Sequence, residues 1–117
     1  MQFAHRKMAD GNRLNAQAHV AASQTLPLGT MASVVNLQTG KSAVVRVEDR
    51  GPFVPGRVMD VTFKVAQELA MINRGVAPVE IKPIVVPQPN GEMKLGAGAA
   101  ELSPQQIREA IRVSTPR

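Results

Sequence analysis

The 117-residue chain contains no cysteine, no tryptophan and no tyrosine, and its only aromatic residues are Phe3, Phe53 and Phe63. Without cysteine there is no disulfide scaffold, no zinc ribbon and no thiol nucleophile. Three aromatic rings argue against a binding mode built on several stacked bases or sugars. No apolar run approaches the ~20 residues of a membrane-crossing helix. The start of the chain shows no charged region, apolar stretch and small-residue cleavage site in the order of a secretory signal. Acidic residues are also in the minority. Nine Asp and Glu against fourteen Lys and Arg leave a formal net charge of +5. That balance suits an anionic partner, whether nucleic acid, a membrane surface or an acidic wall polymer, and does not choose among them. The hydrophobic share of 44% is enough for one domain with a real core. A chain of this size buries roughly two-thirds of the surface it exposes when unfolded.

Residues 1–30 read as loop, with turn signals at Asp10-Gly11-Asn12 and at Leu26-Pro27-Leu28-Gly29-Thr30. Two valine-rich runs, Met31–Leu37 and Ser42–Asp49, flank the turn Gln38-Thr39-Gly40-Lys41 and predict a β-hairpin. Arg50–Gly56 holds two Pro and two Gly and is a loop, and Arg57–Val61 is a short strand. Thr62 is a suitable N-cap for a helix over Phe63–Ile72, with Gly75 to end it. Val76–Val86 is a further β run whose Pro78 and Pro83 place it at an edge or break it in two. After Pro87 come the turn Gln88-Pro89-Asn90-Gly91 and the small-residue run Gly96–Ala100, which reads as a flexible linker. Ser103, Pro104 and Gln106 form a capping-box signature for a helix over Pro104–Val113, with Ile107, Ala110 and Ile111 as its apolar stripe. The division expected is a core domain over 1–87 and an appendage over 88–117.

Chemistry concentrates in two charged segments, Val47–Phe53 and Gly56–Asp60. Asp49 and Arg50 stand where a strand ends against a Gly-Pro turn, a position that favours functional side chains. A general acid needs partial burial or a second carboxylate, and Asp60 could supply one if the strands bring it close. The structural alternative is that Asp49 caps the turn while Arg50 or Arg57 forms an ion pair, and residue types alone favour it. His5 and His19 are fourteen residues apart with no other ligand at suitable spacing, so no metal is expected. Ser23 has no neighbouring His and no nucleophile-elbow glycines, and no phosphate-binding glycine loop occurs, so no cofactor is expected. The basic residues are scattered rather than gathered on one element, which argues against nucleic acid as a partner.

Read in order, these segments resemble the rare lipoprotein A (RlpA)-like family. Its pattern runs T-A-N-G-E, T-A-A-H-[KR]-T-L-P-[LF]-G-T, V-x-N-L-x-[NT]-G-[KR]-S-V-V-V-R-V-N-D-R-G-P-[FY] and G-R-x-[IVM]-D-[LV]-S. Here the same stretches read Met8–Asn12, Val20–Thr30, Val34–Phe53 and Gly56–Thr62, and the resemblance covers about residues 3–86. It implies a mainly β fold: a six-stranded double-psi β-barrel with one short helix beside it, followed here by the C-terminal helical appendage. It also implies export to the periplasm or outer membrane, often as a lipoprotein, with the export signal trimmed from this chain. The implied partners are peptidoglycan glycan strands, with proteins of the division site beside them. The implied activity is that of a lytic transglycosylase cutting glycan strands that lack stem peptides. The resemblance places the acid/base role on Asp49, with Asp60 as a second catalytic carboxylate in the same groove that tunes it. Asn12 and Ser23 stand where the family has Glu and His, and with Arg50, Phe53 and Arg57 they are the candidate substrate contacts. Neither Asn12 nor an unassisted Ser23 exchanges protons at neutral pH as Glu and His do. A non-catalytic glycan-binding or septal scaffold domain therefore stays open beside the enzyme, and a nucleic-acid-binding barrel is the third reading.

Overall fold

The structure is a computed structural model that describes residues 19–71 and 75–114. The expectations for Asp10–Asn12, His5 and Ile72 lie outside these residues.

The hairpin forms where its valines predict. Strand β2 (Met31–Asn36) pairs antiparallel with β3 (Ser42–Asp49), from Met31 opposite Arg46 to Val35 opposite Ser42. Asn36 shapes the turn and anchors it. Its side-chain oxygen accepts the Gln38 N–H at 2.9 Å, and its amide donates to the Leu69 carbonyl at 2.8 Å. The Thr39 hydroxyl donates to the same carbonyl at 3.2 Å. Leu69 closes helix α1 (Phe63–Glu68), so the hairpin turn satisfies a carbonyl that a helix end leaves without an intrahelical partner.

Two strands were not legible in the sequence, the short β6 (Met93–Leu95) and one in the centre of the sheet. Val20–Ser23, expected as loop, is strand β1, and all four of its residues are buried. It pairs parallel with β3 and antiparallel with β4 (Met59–Val61). A four-residue strand with two alanines carries little β signal of its own. The small side chains suit a position enclosed on both faces.

Helix α1 starts at the expected cap position, Thr62, but ends at Glu68 rather than running on to Ile72. Ala70 adopts φ 56°, its N–H bonds to the Gln67 carbonyl at 3.0 Å, and the Met71 N–H reaches back to Ala66 at 3.1 Å. These are the two bonds of a Schellman ending, with alanine in the left-handed position that glycine normally fills.

Strand β5 (Val79–Pro87) corrects a further expectation. It is one continuous strand paired to β2 along its length and to β6 (Met93–Leu95) at its end. Pro83 is accommodated by a register shift between Met31 and Ala32, where Val85 and Pro83 are the successive partners and Ile84 is the extra residue. The strand order is β4-β1-β3-β2-β5-β6.

Gly96–Ala100 is not a flexible linker. Ala97–Glu101 forms a 3₁₀ turn packed on β5, with Gly98 and Ala99 buried. A Cβ on Gly96 would lie 2.3 Å from the Pro83 carbonyl oxygen, and one on Gly98 2.7 Å from that of Lys82. Helix α2 (Pro104–Ser114) begins with the capping box read from the sequence: the Ser103 N–H donates to Gln106 Oε1 at 2.8 Å and the Gln106 N–H to Ser103 Oγ at 3.2 Å. Its stripe docks, since Ala110, Ile107 and Ile111 pack with Met31, Ile84 and Val85. The main core is a separate cluster, where Ala21, Val34, Val45, Val61, Val65 and Leu69 meet.

Two substitutions test these readings. Gly96→Ala has ordinary backbone angles available, at φ −100°, so its cost is steric. Urea unfolding should show a loss of about 1–3 kcal/mol from overpacking against backbone. Ala70→Gly, at an exposed left-handed position, should raise stability by up to about 1 kcal/mol in the same assay.

Candidate active site

The register between β1 and β3 builds the site. Ala21 pairs with Val47 and Ala22 with Asp49, so Glu48 is one residue too many on β3. A bulge of this kind re-aims the residue that follows it, because side chains otherwise alternate faces. Without it Asp49 would follow Val45 and Val47 toward the core side. With it Asp49 falls into register with Ala22, which pairs on its other side with Asp60 of β4. Asp49, Ala22 and Asp60 therefore form one row across β3, β1 and β4. Two strand spacings, about 10 Å, separate the backbones of the two aspartates. The alanine between them adds the least bulk of any chiral residue. Both carboxylates are shielded, at 4% exposure for Asp49 and 6% for Asp60.

The loops that close this end are tied by main-chain bonds. The Arg50 N–H donates to Asp49 Oδ1 at 2.8 Å. The Arg50 guanidinium donates to the carbonyls of Ser23 at 3.1 Å and Leu26 at 2.5 Å. Ser23 Oγ accepts the N–H groups of Leu26 at 3.1 Å and Thr25 at 3.3 Å, which sets the turn after β1. The Gln24 amide donates to the Pro52 carbonyl across the gap. Ser23 and Arg50 thus staple the turn after β1 to the Asp49–Phe53 loop, and both lie beside the candidate acid. Gly51 sits at φ 128°, a backbone conformation that needs glycine, and it follows Arg50 directly.

Beyond this frame the loop turns outward. Phe53 is 77% exposed, with Val54 and Val58 also open to solvent. Arg57 forms an ion pair with Asp60. Both line a cleft of about 120 Å³, and Asp49 is not among the described residues that line it. The two aspartates therefore share a row of the sheet. Asn12 lies outside the described residues.

Glu48 and Arg46 had not been singled out. Arg46 Nη1 lies 2.6 Å from Glu48 Oε1 in a largely buried pair, so the extra residue of the bulge is held by its own strand. The available signal was two successive carboxylates at the end of a strand whose alternation was otherwise regular. His19 pairs with Glu68 at 2.5 Å, linking the approach to β1 with α1. Among the described residues, His, Asp and Glu nowhere gather in a group of three able to hold a metal ion.

Residues 2–81 match the family model described as lytic transglycolase. Over 80 residues, 68% of this chain, the sequence is 50% identical to a probable endolytic peptidoglycan transglycosylase RlpA of Nostoc sp., covering 22% of that protein. It is 44% identical over 84 residues to the endolytic peptidoglycan transglycosylase RlpA of Neisseria meningitidis serogroup A, covering 72% of this chain and 35% of the relative. A match to the Haemophilus influenzae RlpA extends to 90% of this chain at 36% identity, with 36% of the relative covered. The chain thus spans well under half the length of these relatives. The matched span takes in the bulged strand, the Asp49 loop and β4 alike, and on that basis the chain belongs to the RlpA-like double-psi β-barrel family of lytic transglycolases.

Proposed function

We propose that this domain acts on the glycan strands of peptidoglycan as a lytic transglycosylase, outside the cytoplasm, with Asp49 as its acid/base. The observation that carries the reading is the bulge at Glu48, which takes Asp49 off the core side and sets it in the row with Ala22 and Asp60. A general acid must be shielded from bulk water and rigidly held. Asp49 meets both conditions through its burial and the Arg50 N–H bond.

The chemistry needs one carboxyl group. Asp49, protonated, gives its proton to the glycosidic oxygen as the bond from that oxygen to the anomeric carbon breaks. The resulting carboxylate takes the proton of the same sugar's C6 hydroxyl while its oxygen attacks the anomeric carbon and closes an anhydro ring. Asp49 ends as it began, and no water is consumed. A hydrolase would need a second carboxylate to activate water or form an adduct. Asp60, paired with Arg57, is not asked to do so. Its place is to bind the strand beside the reacting bond, with Phe53 offering an exposed ring to a sugar face. The strands that fit this reading are those without stem peptides, the class of substrate that the family resemblance implies.

A second reading rests on Ser23. Its hydroxyl is engaged by the Thr25 and Leu26 N–H groups and serves the turn. With Asn12 at the other altered position, a domain that binds glycan without cutting it has a specific basis.

Purified sacculi stripped of stem peptides separate the two. The domain should release anhydro-ended fragments detectable by mass spectrometry, and Asp49→Asn should lower their rate by at least about 100-fold, the usual range for a lost general acid. Pelleting of the domain on sacculi with no fragments released would exclude the catalytic reading and leave the binding one.

A further inference from the structure

Strand β3 has two ways to lie against β1. As found, Ala21 is opposite Val47, Ala22 is opposite Asp49, and Glu48 is the extra residue. A slip of one residue would set Glu48 opposite Ala22 and return Asp49 to the side of Val45 and Val47. Such a slip also removes the bulge and restores regular pairing, so the observed register needs a hold from outside the strand.

The turn after β1 supplies that hold, because it grips β3 on both sides of the extra residue. Before it, the Gly29 N–H donates to the Val47 carbonyl at 2.7 Å, and the Val47 N–H donates to the Thr30 carbonyl at 2.8 Å. After it, Arg50 Nη1 donates to the carbonyls of Leu26 and Ser23. The turn itself is braced. The N–H and the hydroxyl of Thr30 both donate to the Pro27 carbonyl, at 3.1 Å and 2.7 Å, and Ser23 Oγ accepts the Thr25 and Leu26 N–H groups. Glu48 and Asp49 are thus strung between two fixed points. The first point is main chain to main chain and does not depend on the side chain at Val47. The second depends on one side chain, that of Arg50. The Arg46–Glu48 pair steadies the extra residue from within β3, but both partners travel with the strand and give its register no outside reference.

We infer that Arg50 is the positioning residue of the candidate acid: its guanidinium locks the bulge in register and so keeps Asp49 in the row with Ala22 and Asp60. Its own N–H, bonded to Asp49 Oδ1, then sets the orientation of the carboxyl group. Arg50 therefore acts through Asp49 and not as a contact to the glycan. The inference rests on the reading of Asp49 as acid/base and adds the residue that keeps it in place.

The test compares Arg50→Met with Arg50→Lys. Methionine keeps an apolar stem and removes every donor, whereas one lysine ammonium can donate to both carbonyls, as Nη1 does. NMR of the wild type and of Arg50→Lys should show cross-strand contacts between Ala22 and Asp49. Arg50→Met should lose them or exchange them for contacts between Ala22 and Glu48. The β2–β3 contacts from Met31–Arg46 to Val35–Ser42 should persist as the sign of an intact sheet. In fragment release over a series of concentrations of stripped sacculi, Arg50→Met should lower kcat by at least about tenfold, with apparent KM within about twofold of wild type. Arg50→Lys should recover most of that loss. If Arg50→Met does not fold, Arg50→Gln, with one shorter amide donor, decides by the same contacts. Two results overturn the inference and leave the glycan-directed function standing. One is an Arg50→Met domain that keeps Ala22 opposite Asp49. The other is unchanged kcat with weakened binding to sacculi, the mark of a substrate contact. The NMR comparison needs no activity. Loss of the Ala22–Asp49 contacts in Arg50→Met, with no fragments released by the wild type, would uphold the lock and overturn the catalytic reading.

Discussion

The parallel pairing of β1 with β3 is the constraint on which the site depends. A parallel partner cannot be reached by a tight turn, so the chain must leave β1, build the β2–β3 hairpin and return beside the strand it left. That path brings the turn after β1 and the loop after β3 to the same end of the sheet. Arg50 and Gln24 then hold the two together through carbonyls of Ser23, Leu26 and Pro52. The small residues of β1 follow from the same constraint, since a strand paired on both sides and buried throughout has little room for bulk.

The bulge at Glu48 converts this scaffold into a candidate site. A strand of regular alternation would direct Asp49 toward the core, where an unpaired carboxylate is costly. One extra residue moves it to the row of Ala22 and Asp60, and the Arg46–Glu48 pair holds the inserted residue in place. Charge around the row is balanced locally. Arg57 meets Asp60, Arg46 meets Glu48, and Arg50 serves main-chain carbonyls. Buried charges persist only with such partners. Among the described residues, the arginines nearest the candidate acid are thus engaged within the fold.

Much of the local structure was legible because it rests on contacts between near neighbours. The β2–β3 hairpin followed from its valines and glycine turn, and the capping box of α2 from Ser103 and Gln106 three residues apart. Helix α1 was read too long, because its ending depends on Ala70 taking a left-handed conformation under a turn from β2. Gly96 and Gly98 looked like a linker because glycine signals both freedom and close approach. Only the position of the Pro83 and Lys82 carbonyls distinguishes the two.

Sequence alone determined the elements with strong periodicity, the absence of thiol chemistry, and the order of motifs that carries the family. It also named Asp49 and Asp60, since carboxylates beside Gly-Pro and Gly-Arg turns are visible without coordinates. Tertiary structure decided that Val20–Ser23 is a central strand, that α2 docks through Ala110 and its neighbours, and that Asp49 and Asp60 share a row. The reason is the same in each case. These facts depend on which residues of distant segments lie opposite one another, and a one-residue shift in that register reverses the face on which a side chain stands.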